Sequence, residues 1–300
     1  MPDAPPGATV ENPAVISSSA VRRVLVVAAI VLSAAACAPE PEAPPAAAGP
    51  SCEPGALSTL TPGTLTFGTD QPVYPPWFVD DDPTSGKGFE SAVAYAIADG
   101  LGYQRDAVTW VRVPFNAAIQ PGPKPYDLDL NEFSITPERA QAVDFSAPYY
   151  DVKQAVVALE NGPAAGAASI AELKTAKLGA QVGSTSYQAI LDQIAPESPP
   201  AVFNTNDDAK LALSNGQVDA IVVDLPTAFY ITSAELEGAK IVGQLPLGSG
   251  TPEQFGAVLD KDSPLTPCVS AVLEGLRADG TLAKLEQEWL ASTETAPELR

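Results

Sequence analysis

Apolar residues along this chain fall into two rhythms that take turns from residue 64 to residue 290. Leu65 and Phe67 alternate with Thr64 and Thr66, the two-residue period of a short strand, which stops at Gly68-Thr69-Asp70. Phe89, Val93, Ile97 and Leu101 then recur at every fourth position, the mark of a helix, and Gly102 ends it. Val108 to Val113 and Tyr126 to Phe133 read as strands, with a helix after Thr136. The alternation resumes with a strand at Gln154 to Leu159, a helix near Ile170 to Leu173 and a strand at Leu178 to Val182 that runs into the turn Gly183-Ser184-Thr185-Ser186-Tyr187. That turn opens another helix. Ala201 to Phe203, a helix over Asp207 to Ser214, and the strand Val218 to Val223 follow, the last ending at Asp224-Leu225-Pro226. Pro226 suits the first turn of a helix. Ile241 to Val242 and Phe255 to Leu259 are the remaining strands, and Val269 to Arg277 and Leu282 to Leu290 are two closing helices. This order predicts an α/β fold with sheets covered on both faces, in which ligands bind beyond the carboxyl ends of the strands.

Polar residues collect at those ends. Asp70, Ser134, the Ser184-Thr185 turn and Asp224 each close a predicted strand, and Arg139 lies just past one. In Asn131-Glu132-Phe133-Ser134-Ile135-Thr136-Pro137-Glu138-Arg139, Thr136 is a good N-cap and Pro137 suits the first helical position. Arg139 then sits among free backbone amides that favour an anion, where a guanidinium fork can hold a carboxylate by two parallel bonds. The same nine residues also fit an exposed arginine in an ordinary first turn, and Asp224 alone also fits an N-cap. The shared location of five polar positions favours a ligand site.

Composition adds limits. The net charge is −21, and residues 1 to 51 hold only Asp3, Glu11, Glu40 and Glu42 against Arg22 and Arg23. Such a surface repels nucleic acid and anionic head groups. Arg22-Arg23 precedes an apolar run from Val24 to Ala36, too short for the roughly 20 residues of a membrane-crossing helix, and is read as a secretion signal. The small residues before Cys37 match a lipoprotein box, with Ala34 where leucine is usual, so Cys37 is the expected lipidation site. Residues 1–37 are thus assigned to the signal and lipoprotein segment, and 38–51, rich in Pro and Ala, to an extended tether. Cys52 and Cys268 remain, in a compartment where disulfides persist, and are expected to pair. No metal spacing, phosphate loop or nucleophile-base arrangement is present, and no cofactor is expected.

The chain resembles the family 3 extracellular solute-binding proteins, receptors that deliver amino acids to ABC importers. The resemblance rests on Gly68-Thr69-Asp70 with Tyr74-Pro75-Pro76-Trp77, Gly88-Phe89-Glu90, Tyr126-Asp127, Ser134-Ile135-Thr136-Pro137-Glu138-Arg139, Asp144-Phe145-Ser146-Ala147-Pro148-Tyr149-Tyr150, Gly183-Ser184-Thr185, Val218-Asp219-Ala220 and Asp279-Gly280-Thr281-Leu282. It covers Cys52 to Leu290. Ser91 and Ala92 depart from it, standing where the family has an aliphatic residue and an acid.

The resemblance implies a two-lobed periplasmic-binding-protein-like fold of type II, two doubly wound sheets with a cleft between them. Lobe one would hold 52–152 and 251–295, lobe two 153–250, with 296–300 a tail and the chain crossings near Asp151 to Gln154 and Leu245 to Pro252. Arg139, Ser134, Ser184 and Thr185 would take a ligand carboxylate, Asp224 and Glu132 its amino group. Asp70, Tyr74, Trp77, Phe115 and Asn131 would line the side-chain pocket, whose acids and aromatic faces suit a polar or basic amino acid. Trp77 and Phe115 fit core packing as well. The expected protein is a monomer outside the cytoplasm, held to the membrane by its lipid alone and docking on an importer's permease. Two other readings stay open: a cleft enzyme acting on a small carboxylic acid, which without histidine would need a carboxylate such as Glu132 as its base, and a ligand sensor that signals through a partner.

Overall fold

The computed structural model describes residues 51–53, 55–247, 252–293 and 295–300, all within the unit Ala47–Arg300. The signal segment, Cys37 and all of the tether but Ser51 lie outside the described residues. The first sheet is built from β1 (Leu65–Thr69), β2 (Val108–Arg112), β3 (Leu128–Asp129) and β4 (Asp144–Phe145), joined late by β12 (Val258–Leu259), in the order β2-β1-β3-β12-β4. β1 runs parallel to β2 and β3, while β12 runs antiparallel to β3 and β4. Helix α1 (Phe89–Gly100) packs here with α7 (Thr266–Ala278) and α8 (Thr281–Trp289), and a short α2 (Phe115–Ala118) follows β2. Phe89, Val93 and Ile97, the apolar face of α1, are fully buried.

The second sheet takes its strands from the middle of the chain: β6 (Gln154–Leu159), β7 (Leu178–Gln181), β8 (Ala201–Phe203), β9 (Ala220–Asp224) and β10 (Ala239–Gln244), in the order β10-β6-β9-β7-β8. β7, β8 and β9 are parallel, and β6 is antiparallel to both of its neighbours. Along β6, Val156 and Ala158 enter one apolar cluster, Ala155 and Val157 another. A strand's side chains alternate between faces, so this sheet is covered on both. Its helices are α3 (Ile170–Leu173), α4 (Thr185–Ala189), α5 (Asn206–Ser214) and α6 (Leu225–Tyr230), of which α4 and α6 widen into a π-helical turn at residues 190–194 and 231–235. Between the sheets, β5 (Tyr150–Val152) and β11 (Glu253–Phe255) pair as a two-stranded antiparallel ribbon, so the chain passes from one sheet to the other and back side by side.

Three expected elements differ. The strand expected over Tyr126 to Phe133 is only Leu128–Asp129, because the chain then leaves the sheet, with Glu132 in the left-handed region at φ 55. Its backbone groups find other partners: the Glu132 N–H donates to Glu90 Oε1 at 2.7 Å, and Phe133 O accepts from Gly256 N at 3.0 Å. The helix expected after Thr136 is one 3-10 turn, Arg139–Gln141, since β4 begins three residues later. The turn's N-cap is Glu138, without a side-chain capping bond, though Thr136 Oγ1 accepts from Arg139 N at 3.2 Å. The strand expected over Phe255 to Leu259 is broken at Gly256 into β11 of the ribbon and β12 of the first sheet.

Two covalent or packing ties complete the fold. Cys52 and Cys268 form a disulfide with Cα atoms 5.4 Å apart, across 216 residues of sequence. Beyond α8 the chain leaves the first core at Leu290 and returns to the second sheet, where Leu299 is buried. Gln244 N donates to Pro297 O at 2.8 Å, Leu299 N to Gln244 O at 2.9 Å, and Ile170 N to Arg300 O at 3.0 Å. Gly243 makes room for this, because a Cβ there would lie 2.8 Å from Leu299 Cγ.

Candidate functional site

A cavity of about 790 Å³, counting its open mouth, lies between the two sheets at their strand carboxyl ends. The first lobe supplies the turn after β1 (Asp70 to Tyr74), Phe115 at the start of α2, and Asn131 and Glu132 after β3. The second lobe supplies Gln181, the Ser184-Thr185-Ser186 start of α4, Thr205 to Asp207 at the start of α5, and Asp224 closing β9. Of the expected site residues, Asp70, Tyr74, Phe115, Asn131, Glu132, Ser184, Thr185 and Asp224 therefore line one cavity from its two sides. Trp77, Ser134 and Arg139 sit behind it.

Arg139 is buried, at 8% exposure. Its Nη1 donates to Ser134 O at 2.7 Å and its Nη2 to Gly183 O at 2.9 Å, so the guanidinium joins the two lobes. Its carbon lies 5.4 Å from the centroid of the Phe115 ring, which does line the cavity. Two of the five N–H groups are thus used on carbonyls, and the fork keeps others for an anion. Burial lowers the pKa of Arg139, and the carboxylates of Glu253 and Asp224 oppose that. Gly183 is needed at its position: its φ is +72, and a Cβ would meet Asn116 Oδ1 at 2.7 Å.

The hydroxyls next to Arg139 are arranged differently from the expected carboxylate clamp. Ser134 Oγ donates to Glu253 Oε1 and lies 3.1 Å from Thr185 Oγ1. With its one proton on Glu253, Ser134 is left to accept from Thr185, so neither hydroxyl has a proton for a ligand. Ser184 Oγ likewise donates to Gln181 O at 2.7 Å and accepts from Tyr187 N at 3.1 Å, capping α4. What faces the cavity here is the first turn of α4, whose leading amides have no partner within the helix.

On the opposite side, Asp224 follows an apolar strand and ends it at the cavity. Its backbone takes the N-cap position of α6, but its side chain makes no capping bond. Instead Gln154 Nε2 donates to Asp224 Oδ1 at 2.6 Å. Burial, then the Glu253 carboxylate, push Asp224 well above the usual carboxylate range; the Gln154 bond and Arg139 pull the other way. Glu132 is raised well above its range too, first by burial and then by Asp224 and Glu90. Glu90, wholly buried behind it and hydrogen-bonded by the Tyr149 hydroxyl, is pushed up by burial to about 7. Asp70 accepts from the backbone N–H groups of Gln71 at 2.7 Å and Phe115 at 3.1 Å, so it fixes the start of α2 as well as facing the cavity.

Further contacts close the lobes over the site, and they were not legible beforehand. Trp77 is not a pocket residue; it is packed among Phe89, Tyr150 and Phe255, and its indole N–H donates to Thr227 Oγ1 at 2.9 Å across the cleft. The Thr227 hydroxyl in turn donates to Glu132 Oε2 at 2.8 Å. At the mouth, the Tyr74 hydroxyl donates to Asp207 Oδ2 at 2.6 Å, while Lys210 pairs with Asp207 and Glu235 and lies over the Tyr74 ring. Among the described residues no group of three or more acids, cysteines or histidines could hold a metal, and no helix is long and apolar enough to cross a membrane.

Comparison with known proteins gives the same outline. The chain is 28% identical over 255 residues to the L-arginine-binding protein of Pseudomonas aeruginosa, covering 79% of this chain and 95% of that protein. It is 29% identical over 247 residues to the glutamate-binding protein GluB of Corynebacterium efficiens, covering 78% and 81%. Among solved structures, an ancestral arginine-binding protein bound to glutamine superposes with a TM-score of 0.62 at 32% identity, covering 76% of this chain and 98% of that one. The two lobes, the ribbon and the cleft are thus the type II arrangement expected from the resemblance. A family model matches residues 65–292, both sheets included, and the chain belongs to the bacterial extracellular solute-binding proteins, family 3.

Proposed function

We propose that this protein is the extracytoplasmic substrate-binding component of an ABC amino-acid importer, and that it closes around a basic L-amino acid. One observation carries the reading: a buried guanidinium and a cavity-facing carboxylate, Arg139 and Asp224, belong to facing lobes of one cleft. A free amino acid is a zwitterion with its carboxylate and ammonium a few ångströms apart. Arg139 and the leading amides of α4 take the carboxylate, and Asp224 takes the ammonium. A ligand bound to both lobes favours the closed state, which is population shift by differential contact. Asp70, Glu132, Asp207 and Asp224 put four acids on the wall, and of these only Asp207 has a lysine partner, Lys210. That surplus supports a cationic side chain, as do the arginine-binding relatives. The same names support a binding protein rather than an enzyme. The importer's permease then recognises the closed form, with the protein acting as a monomer held near it by a lipid on Cys37.

The experiment is a thermal-shift and calorimetric screen of the purified protein against the natural amino acids. Arginine, lysine or ornithine should raise the melting temperature, as any ligand of the native state must, and Arg139→Ala should abolish that shift. No shift with any amino acid, or unchanged affinity in Arg139→Ala, would refute the reading.

A further inference from the structure

Behind the cavity wall, Gln154 and Glu253 form an arrangement that ligand contact does not require. Gln154 opens β6 directly after the ribbon and pairs in register with Asp224 on β9. It is buried and both of its N–H groups are directed: Nε2 donates to Asp224 Oδ1 at 2.6 Å and to Glu253 Oε2 at 3.1 Å, while Oε1 accepts from Ser186 Oγ at 2.7 Å. Only this orientation of the amide offers protons to both carboxylates. Glu253 lies on the ribbon itself, and its other oxygen accepts from Ser134 Oγ in the first lobe. A single bonded path thus runs from the acid facing the cavity, through the hinge, to the lobe that holds Arg139.

We propose that Gln154 and Glu253 are positioning residues of the ligand site: Gln154 aims the free oxygen of Asp224 at the ligand's ammonium, and Glu253 makes that acid answer to the state of the hinge. This deepens the amino-acid reading and rests on it. Asp224 is faced by Glu253 from the ribbon, Glu132 and Arg139 from the first lobe, and Glu90 from α1 behind. Two carboxylates on one amide, with one guanidinium nearby, cannot both stay charged at low cost until a cation arrives. Burial and Glu253 together keep Asp224 inclined to hold a proton. A bound ammonium stabilises the ionised form, so binding releases that proton and tightens as pH rises.

The test uses Glu253→Gln, whose amide can turn to donate to Ser134 and accept from Gln154, keeping both contacts without the charge. Titration of the Asp224 carboxyl by NMR needs no ligand, and its midpoint should fall by about one pH unit in the variant. With L-arginine as probe, calorimetry on wild type should show Kd tightening by about tenfold between pH 5 and 8, and by under about threefold in Glu253→Gln. Gln154→Leu should weaken arginine by about tenfold at every pH, since the aim of Asp224 is lost. A merely structural pair would change melting temperature and leave both profiles in place. An unmoved Asp224 titration, or superimposable Kd profiles, overturns the proposal. If wild type takes up no amino acid, the amino-acid reading fails, and the Asp224 titration still decides this one.

Discussion

Glu90 shows how a single side chain can carry a functional loop. It has no contact with solvent, and its Oε1 accepts both the Tyr149 hydroxyl and the Glu132 N–H, which holds Glu132 in its left-handed conformation facing the cleft. Burial raises its pKa to about 7, above an ordinary value of 4.5. Between those values the folded chain keeps a proton that the unfolded chain has released, so the stability Glu90 contributes is fully present below pH 4.5 and is lost as pH rises to 7. The full span corresponds to about 3 kcal/mol. In Glu90→Gln, melting curves recorded from pH 4.5 to 7.5 should lose part of this downward slope, the rest coming from Glu132 and Asp224; an unchanged slope would place the titration elsewhere. Arg139 and Asp224 were legible because each stands at a strand end beside a helix start, where polar residues have few structural duties. Gln154 and Glu253 were not. They lie at strand beginnings, in a hinge that only tertiary pairing creates, and nothing in their neighbours sets them apart from surface amides and acids.

At the scale of elements, the long periodic segments were readable and the irregular ones were not. β6 and β8 have the predicted limits, and the helices α1, α5, α7 and α8, whose period is dictated by burial of one face, differ at their ends by a few residues. The stretch from Leu130 to Gln141 was misjudged because its backbone is satisfied by Glu90, the ribbon and Thr136, partners distant in sequence or hidden in a turn. That irregularity puts Glu132 where Thr227 of α6 can reach it. Thr227→Val keeps the shape of α6 while removing the hydroxyl that accepts from the Trp77 indole N–H and donates to Glu132 Oε2. Each such loss costs about 1 to 3 kcal/mol when buried, so arginine affinity should weaken by about tenfold or more. Small-angle scattering of the ligand-free variant should show a more open molecule, and identical scattering and affinity would remove Thr227 from the closure contacts.

For the whole molecule, the disulfide and the lobes answer different demands. Cys268 lies on α7 in the core of the first lobe, and the bridge ties Cys52 to it. Closing 216 residues restricts the unfolded chain and is worth about 5 kcal/mol in a loop-entropy estimate. A Cys52→Ala/Cys268→Ala variant should melt well below wild type yet bind arginine with the same Kd at a temperature where it is folded. A large change in Kd would mean that the bridge restrains the hinge.

The return of residues 297–300 to β10 has a different bearing on movement. Leu290 is fastened in one core and Leu299 in the other, so a third length of chain spans the cleft besides the paired ribbon. Its contour can stretch only about 3.3 to 3.6 Å per residue. The lobes can therefore part only until that length of chain draws taut or residues 297–300 leave their place beside Gly243. Excursions of the empty protein are thus bounded in extent, which keeps its two halves within reach of one another for the next capture.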